Sequence, residues 1–170
     1  MQKALFLDRD GVVNVEKNYL FKKEDFEFID GIFELCRYYL KNGYLIFIVT
    51  NQSGIDRGYY SEEDFISLSK WMLAEFQTHG ITITKVYHCP HHPDYSGLCE
   101  CRKPNPKMLL DAKHDYDIDM KNSLLIGDKE RDIEAALNAG VTETYLLVND
   151  SDIIDSKATK IIHHLDEVWK

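Results

Sequence analysis

The sequence lacks any apolar run that could cross a lipid bilayer. Its longest such run is LIFIV at 45–49, in a chain of 170 residues, whereas a membrane-spanning helix needs about 20 apolar residues. The first residues, MQKALFLD, also lack the pattern of a cleavable secretory leader. These absences lead us to expect a cytosolic protein with no membrane partner.

Positive charge is scarce as well. Lysine and arginine number 20 against 29 aspartates and glutamates, and the formal net charge is −9. The sequence contains no block of basic residues, and an acidic surface repels nucleic acid, so we expect no nucleic-acid partner. The same surface repels anionic small molecules at long range. A phosphate-binding site in this chain would therefore need cations of its own.

What is present is the composition of an ordinary globular domain. Hydrophobic residues make up 44% and charged residues 29% of the chain, and no repeat, linker or low-complexity segment interrupts it. We therefore predict a single domain over residues 1–170 with a core of its own. No exposed apolar stripe is evident in the pattern, so we expect a monomer.

Short apolar runs alternate with segments of helical periodicity along the chain. Strands that are apolar on both faces are typical of a parallel sheet covered by helices on both sides. The pattern predicts an α/β domain with a doubly wound, Rossmann-like and mainly parallel sheet. The predicted strands are 3–8, 44–50, 83–89, 123–128 and 143–148, the predicted helices are 29–43, 61–80, 106–116 and 130–140, and a closing helix or edge element is predicted near 161–168.

Polar residues end three of the predicted strands. Asp8 ends the first, Thr50 and Asn51 end the second, and Gly127 and Asp128 end the fourth. In open α/β sheets, ligands bind beyond the carboxyl ends of the strands. One such strand end alone would be explained as a helix cap or a turn, but three together favour a functional site.

Two carboxylates, Asp8 and Asp10, lie one residue apart in the segment FLDRDGVVN. Like charges this close repel each other unless a cation lies between them. Together with Asp128 they offer the oxygen ligands that Mg²⁺ prefers, and Mg²⁺ bound through few carboxylates commonly shares a phosphate ligand with its substrate. Gly11 would let the backbone turn sharply beside the ion. The sequence therefore predicts a magnesium site for a phosphorylated ligand.

Three of the four cysteines crowd into the turn-rich segment CPHHPDYSGLCEC at 89–101. Soft ligands at this spacing match a closed tetrahedral Zn²⁺ site, the alternative being three free thiols beside an unrelated histidine. Crowded thiols in a cytosolic chain favour metal over a disulfide. The remaining cysteine, Cys36, lies in a helical pattern and is predicted to be a buried structural thiol. The candidate zinc ligands are Cys89, Cys99, Cys101 and either His91 or His92.

Four segments resemble the four motifs of the haloacid dehalogenase superfamily of phosphohydrolases. They are LDRDGVVN, VTNQSG, CRKPNP and LLIGDKERDIEAA, in the order that the superfamily has them, and the resemblance covers roughly residues 3–148. Within the superfamily the chain is similar to the heptose 1,7-bisphosphate phosphatases, with the histidinol-phosphate phosphatases as relatives. The segment CRKPNPKM favours the heptose family.

The resemblance implies a covalent mechanism. Asp8 would be the nucleophile that forms an aspartyl-phosphate. Asp10 would protonate the leaving oxygen and then take a proton from the hydrolytic water. Mg²⁺ would be held by Asp8, Asp128 and the backbone carbonyl of Asp10, and it would neutralise charge on the phosphoryl oxygens.

The same resemblance implies binding roles for further residues. Thr50 and Asn51 would hold phosphoryl oxygens, and Lys103 would add a fixed positive charge. Asp132 has two open interpretations, an acid that favours the start of a helix or a residue that orients the lysine or a water. Arg9 would be a flanking or structural residue. The phosphorylated sugar substrate would be bound by Glu16, Lys17, Asn18, Tyr19, Asn51, Gln52, Ser53, Arg102 and Lys129.

The heptose family has the same cysteine and histidine pattern with a longer middle segment. This resemblance favours His91 over His92 as the fourth ligand and implies a structural zinc, whose binding would order the loop and bring Arg102 and Lys103 to the site. Many relatives of the superfamily insert a cap domain. Here the predicted elements use up the corresponding stretches, so we expect no separate cap.

Three functions are carried forward as hypotheses. The first is hydrolysis of the C7 phosphate of heptose 1,7-bisphosphate, in activated-heptose synthesis for bacterial surface polysaccharide, and the second is hydrolysis of histidinol phosphate. The third is a non-catalytic binding module ordered by zinc, which the intact set Asp8, Asp10, Lys103 and Asp128 argues against. A nucleic-acid 3′-phosphatase shares the TNQ segment, but the net charge of −9 argues against it.

Overall fold

Six strands form one parallel sheet in the order β3-β2-β1-β4-β5-β6. The computed structural model describes residues 1–149 and 155–170. The predicted doubly wound α/β fold is confirmed, and the first five strands lie within two residues of their predicted bounds. The strands are β1 (Lys3–Leu7), β2 (Tyr44–Asn51), β3 (Lys85–Cys89), β4 (Leu124–Gly127), β5 (Glu143–Leu147) and β6 (Lys160–Ile162).

Five α-helices connect these strands in the described residues. The helix α2 begins as the sequence predicts, because the Ser61 hydroxyl accepts a hydrogen bond from the Asp64 N–H at 3.0 Å and the Asp64 carboxylate accepts one from the Ser61 N–H at 2.9 Å. The helix α1 begins later than predicted, since Gly31 before it has a left-handed φ of +87°. The helices are α1 (Ile32–Lys41), α2 (Glu62–Thr78), α3 (Pro93–Ser96), α4 (Lys107–Tyr116) and α5 (Glu130–Asn138).

Each face of the sheet carries its own hydrophobic core, because side chains alternate between the faces along a strand. On one face, Leu5 of β1 belongs to the same buried cluster as Leu35 of α1. On the other face, Phe6 of β1 clusters with Leu109 of α4 and Ile133 of α5. This double burial explains why the central strands are apolar at nearly every position.

The end of the chain covers one edge of the sheet. β6 pairs in parallel with β5, with Ile161 beside Leu146, and a short 3₁₀ helix, Leu165–Val168, follows it. The element predicted near 161–168 is therefore an edge strand followed by one 3₁₀ turn. In residues 1–149 and 155–170, no helix is both long enough and apolar enough to span a membrane.

The strand order reverses between β1 and β4, and ligands bind at this point in doubly wound sheets. Asp8 donates its N–H to the Ile126 carbonyl at 3.1 Å, so the two strands remain paired up to the crevice. Between β1 and β3 the chain forms only loops, the 3₁₀ helix Lys23–Asp25, α1, β2 and α2. In the described part of the chain, no separate cap domain covers the crevice.

Candidate active site

Three carboxylates converge in the crevice between β1 and β4. Asp8 follows β1, Asp128 follows β4, and Asp132 lies in the first turn of α5. Each offers an oxygen within 4.8 Å of the others, and Asp8 and Asp132 are only 8% and 1% exposed. The structure thus brings Asp8 and Asp128 together as the sequence predicts and adds Asp132. The carboxylate of Asp10 does not belong to this group.

One buried ammonium group lies against these carboxylates. Lys103 Nζ is 2.9 Å from Asp8 Oδ1 and 2.6 Å from Asp132 Oδ1, and it donates to the Val49 carbonyl at 2.8 Å. Burial disfavours the charged lysine, but the carboxylates of Asp132 and Asp8 outweigh burial and raise the pKa of Lys103 above its ordinary value. Lys103 therefore stays charged at neutral pH and supplies a fixed cation.

The carboxylates carry more negative charge than Lys103 neutralises. Burial and then the carboxylate of Asp132 raise the pKa of Asp8 well above its ordinary value, and the same two causes raise the pKa of Asp128. A divalent cation beside Asp8 and Asp128 would remove this penalty. Few carboxylates, completed by water and phosphate ligands, suit Mg²⁺. The residues present therefore fit the predicted metal.

Asp132 combines both interpretations that its sequence position left open. Its Oδ2 accepts hydrogen bonds from the backbone N–H groups of Asp128 at 3.2 Å and Lys129 at 3.1 Å, which satisfies the start of α5. Its Oδ1 pairs with Lys103. One side chain therefore positions both the lysine and the backbone of a candidate metal ligand.

The backbone of Gly11 lies close to the carboxylate of Asp128. Its φ is +96°, and a Cβ at this position would lie 2.2 Å from Asp128 Oδ2. We expect Gly11→Ala to lower kcat/KM at least about 100-fold, because displacing a catalytic group by about 1 Å costs this much. Steady-state kinetics at saturating Mg²⁺ test this expectation.

Gly43→Ala is the matched control for Gly11→Ala. Gly43 also has a left-handed φ, +82°, but a Cβ there would meet no atom within 4 Å. We expect Gly43→Ala to destabilise the fold through backbone strain and to keep its activity. Equal activity losses in the two variants would show that strain alone, and not the approach to Asp128, makes Gly11 necessary.

The carboxylate of Asp10 is held by three donors. Its Oδ1 accepts from Arg9 Nη2 and Asn14 Nδ2, both at 3.0 Å, and its Oδ2 accepts from Gln52 Nε2 at 3.0 Å. Arg9 is 1% exposed and also donates to the Leu20 carbonyl at 3.0 Å. Arg9, predicted as a flanking or structural residue, therefore orients Asp10, and the sequence pattern does not single out Asn14.

The two residues at the end of β2 are engaged within the protein. Thr50 is 1% exposed, and its hydroxyl accepts a hydrogen bond from Gln52 Nε2 at 2.9 Å. Asn51 accepts the N–H of Lys103 at 3.0 Å and donates to the Lys103 carbonyl at 3.3 Å. Both groups of the Asn51 amide thus fix the backbone that carries Lys103. The predicted contact of Asn51 with a phosphoryl oxygen stays a prediction.

A cleft of about 330 Å³ opens beside Asp10. Most of the predicted substrate-binding residues line it, namely Glu16, Asn18, Tyr19, Asn51, Gln52, Ser53 and Arg102. Three further residues, Arg57, Tyr60 and Arg131, also line the cleft. The sequence predicts the segment GIDRGYY at 54–60 as a wall of the site without singling out Arg57 or Tyr60, and it does not indicate Arg131 at all.

Two predicted substrate ligands lie outside this cleft. Lys17 donates to the Asp25 carbonyl at 2.9 Å and pairs with Glu27 at 3.4 Å, so it fastens its own loop. Lys17 lies between Glu16 and Asn18 in the sequence, and both of these line the cleft, but its own side chain points elsewhere. Lys129 lines the neighbouring side of the crevice, with its Nζ 3.7 Å from Asp128 Oδ2.

Positive charge is concentrated in the cleft. Arg57, Arg102 and Arg131 all line it, and within the described residues none of them forms an ion pair with a carboxylate. The Arg57 guanidinium lies 5.7 Å from the Tyr19 ring centroid and 5.6 Å from that of Tyr95. The cleft thus provides the local cations that an acidic chain needs to bind an anion.

The three cysteine sulfurs of the loop converge. Cys89 and Cys101 are joined as a disulfide, with their Cα atoms 5.6 Å apart, where the sequence predicts two zinc thiolates. The Cys99 sulfur lies 3.7 Å from that of Cys89 and 3.8 Å from that of Cys101. Three sulfurs this close fit a zinc thiolate site as well as a disulfide with a spare thiol.

Neither histidine of the loop joins the sulfur cluster. His91 Nδ1 lies 3.2 Å from the Ser96 hydroxyl, and His92 Nε2 lies 2.9 Å from Arg57 Nη2. The converging group in the described residues contains only the three sulfurs, in contrast to the predicted set with His91. Cys36 is buried as predicted, and burial raises the pKa of its thiol to about 12.

Comparisons with known proteins agree with this geometry. A family model described as HAD-hydrolase-like matches residues 100–167. The D-glycero-alpha-D-manno-heptose-1,7-bisphosphate 7-phosphatase of Campylobacter jejuni is 60% identical over 148 residues, which are 87% of this chain and 83% of that protein. The D-glycero-beta-D-manno-heptose-1,7-bisphosphate 7-phosphatase of Vibrio cholerae is 43% identical over 173 residues, covering 97% and 93% of the two chains.

A solved structure supports the same assignment. The D,D-heptose 1,7-bisphosphate phosphatase from B. bronchiseptica, complexed with magnesium and phosphate, matches with a TM-score of 0.84 at 28% identity and covers 98% of this chain and 95% of that chain. The resemblance that the four motifs carry is thereby confirmed. The chain belongs to the D-glycero-D-manno-heptose-1,7-bisphosphate 7-phosphatase family of HAD-like hydrolases.

Proposed function

We propose that this protein is a Mg²⁺-dependent phosphatase that removes the C7 phosphate of D-glycero-D-manno-heptose 1,7-bisphosphate and leaves heptose 1-phosphate. The observation that carries the proposal is the juxtaposition of two features. The buried group of Asp8, Asp128 and Lys103 suits transfer of a phosphoryl group, and the adjoining cleft is lined by arginines without acidic partners among the described residues. A bisphosphate offers one phosphate to each.

In the first step, an oxygen of Asp8 attacks phosphorus. A bond forms between Asp8 and phosphorus, and the bond between phosphorus and the C7 oxygen breaks. The electron pair of the broken bond stays on the sugar oxygen, which takes a proton from Asp10. Lys103 holds Asp8 Oδ1 at 2.9 Å and thereby fixes the rotation of the attacking carboxylate.

In the second step, Asp10 takes a proton from water, and the water oxygen attacks phosphorus. The bond between phosphorus and Asp8 breaks, and inorganic phosphate leaves. The three donors to Asp10 keep its carboxylate facing the cleft in both steps. Splitting one difficult displacement into two in this way is the general advantage of a covalent nucleophile.

Magnesium would be held by the carboxylates of Asp8 and Asp128 and by the backbone carbonyl of Asp10. When bound, Mg²⁺ neutralises charge on the phosphoryl oxygens. Lys129, whose Nζ lies 3.7 Å from Asp128 Oδ2, would meet the phosphate that is removed. The phosphate that stays on the sugar would be bound by Arg57, Arg102 and Arg131. One arginine guanidinium can donate two parallel hydrogen bonds to two oxygens of a phosphate.

We also propose that the reduced chain binds one Zn²⁺ through the sulfurs of Cys89, Cys99 and Cys101. His91, two residues from Cys89, remains the candidate for the fourth ligand. Cys101 of the sulfur cluster directly precedes Arg102 and Lys103 in the sequence. Bound zinc would therefore order the segment that carries these two residues to the active site.

Counting thiols distinguishes zinc from a disulfide. In protein purified without reductant and unfolded with a chelator, the zinc form should yield all four cysteine thiols and one zinc per chain. The disulfide form should yield only Cys36 and Cys99 and no zinc. In the native protein, Cys36 should not react with a thiol reagent at neutral pH, because its pKa of about 12 leaves almost no thiolate.

The proposed activity is tested by phosphate release with Mg²⁺ from heptose 1,7-bisphosphate, as both anomers, and from histidinol phosphate. We expect kcat/KM to be at least about 100-fold higher for one heptose anomer than for histidinol phosphate, since the latter leaves the polar cleft unfilled. A preference for histidinol phosphate would keep the mechanism but overturn the substrate. No release from any of the three would overturn the phosphatase assignment.

A further inference from the structure

The two oxygens of the Asp10 carboxylate have different surroundings. Oδ1 accepts hydrogen bonds from both Arg9 and Asn14, whereas Oδ2 accepts only one from the part of the chain that the structure describes, from Gln52 Nε2 at 3.0 Å. Since Oδ1 already has two donors and Oδ2 has one, Oδ2 is the oxygen with room for a further hydrogen bond to the substrate. The orientation of Gln52 therefore bears directly on this oxygen.

The amide of Gln52 is fixed at both ends. Its nitrogen donates to Asp10 Oδ2 and to the Thr50 hydroxyl at 2.9 Å, which uses both amide hydrogens. Its oxygen accepts a hydrogen bond from the Tyr60 hydroxyl. Gln52 is 3% exposed, so water does not compete freely for these groups. A half-turn of the amide would place its oxygen against Asp10 and its nitrogen against the Tyr60 hydroxyl.

The packing of the Tyr60 ring holds its hydroxyl in this position. Its ring stacks on Phe21 with the centroids 5.5 Å apart, and a Cβ on Gly54 would lie 2.2 Å from Tyr60 Cε1, so Gly54 leaves the space that the ring fills. The side chain is 7% exposed, and burial raises the pKa of its hydroxyl. Tyr60 therefore remains a donor and keeps the amide oxygen of Gln52 turned away from Asp10.

We propose that Tyr60 is a positioning residue that acts through Gln52 to hold Asp10 Oδ2 in the direction of the leaving oxygen. The contacts Tyr60–Gln52–Asp10 extend the positioning of Asp10 from Gln52, which donates to it, to Tyr60, which holds the Gln52 amide. This inference rests on the proposed function, in which Asp10 is the acid and base of phosphate-ester hydrolysis.

Tyr60→Phe removes the donor and keeps the ring, and Tyr59→Phe is its matched control, since Tyr59 is 52% exposed. We expect Tyr60→Phe to lower kcat on heptose 1,7-bisphosphate about tenfold with KM unchanged, as partial loss of acid–base catalysis would. On p-nitrophenyl phosphate, whose leaving group needs no proton, kcat/KM should stay within about twofold of wild type. Tyr59→Phe should match wild type on both substrates.

A double-mutant cycle tests whether Tyr60 acts through Gln52. Gln52→Met removes the amide at similar length, and in this background Tyr60→Phe should cause no further loss of kcat. Additive losses, a raised KM in Tyr60→Phe, or an equal loss on p-nitrophenyl phosphate would each overturn the inference. If wild type releases no phosphate from any substrate, the proposed function itself fails. If wild type is active and Tyr60→Phe equals Tyr59→Phe, only this inference fails.

Discussion

Asp8→Asn is expected to lower kcat by at least about 10⁴-fold, in the range seen when a catalytic nucleophile is removed. An amide oxygen cannot take the place of the carboxylate that attacks phosphorus. The fold should persist, because asparagine has the shape of aspartate and removes one buried negative charge from a group in which burial and Asp132 disfavour the ionised form. Stopped assays of phosphate release and thermal unfolding measure the two effects.

Asp111→Asn is the control for this substitution. Asp111 lies in α4, on the surface, and pairs with Lys107, so its replacement should leave kcat unchanged. Activity of Asp8→Asn above about 1% of wild type, far more than loss of a nucleophile permits, would contradict the covalent mechanism. If Asp111→Asn loses as much activity as Asp8→Asn, the loss does not report on the role of Asp8 as the nucleophile, and the covalent mechanism loses this support.

Lys103→Met is expected to impair both activity and stability. The substitution leaves Asp8 and Asp132 buried without their cation, and breaking a buried ion pair in this way costs about 3–5 kcal/mol. The loss of unfolding free energy should be largest at neutral pH and shrink on acidification. Burial raises the pKa of Asp8 and Asp128 in the fold, so the folded state takes up protons more readily and gains stability as the pH falls.

Urea unfolding of Lys103→Met at several pH values, with and without Mg²⁺, checks this prediction. Added Mg²⁺ should restore part of the lost stability, because it replaces one cation by another beside the same carboxylates. Lys107→Met, on the surface of α4, is the matched control and should unfold like wild type. If Lys103→Met and Lys107→Met have the same free energy of unfolding at pH 7, Lys103 does not stabilise the buried carboxylates of Asp8 and Asp132.

Local pattern was enough to predict the strands and the acids at their ends. An apolar run that ends at Asp8 or Asp128 is readable from neighbouring residues alone, and the parallel sheet then brings both ends to one edge. The capping contact of Ser61 with Asp64 was predictable for the same reason, since helix caps depend on residues three positions apart.

Contacts between loops were not predictable in this way. Arginine is usually exposed, yet Arg9 is 1% exposed. Its guanidinium pairs with Asp10 and donates to the Leu20 carbonyl, and both contacts depend on how the loops fold. Tyr60 reaches Asp10 only through Gln52, and no periodic pattern reports such a relay. Lys17 was predicted from its position beside residues that do line the cleft, but the loop turns its side chain toward Asp25.

The cysteine loop shows the limit of spacing arguments. Spacing predicted that Cys89, Cys99 and Cys101 converge, and they do. It did not predict the surroundings of His91, which lies against Ser96 of the short helix α3. Four residues are too few to show a helical period, so this helix and its contacts were not expected.

The proposed removal of the C7 phosphate is tested most directly by the identity of the product formed from heptose 1,7-bisphosphate with Mg²⁺, measured by phosphorus NMR. We expect inorganic phosphate and heptose 1-phosphate in equal amounts, with the phosphate that faces the arginines retained. Heptose 7-phosphate as the product would show that the substrate binds in the opposite orientation, with its C1 phosphate at Asp8 and its C7 phosphate at the arginines. An unchanged bisphosphate would contradict the assignment of Asp8, Asp10 and Lys103 as a phosphatase site.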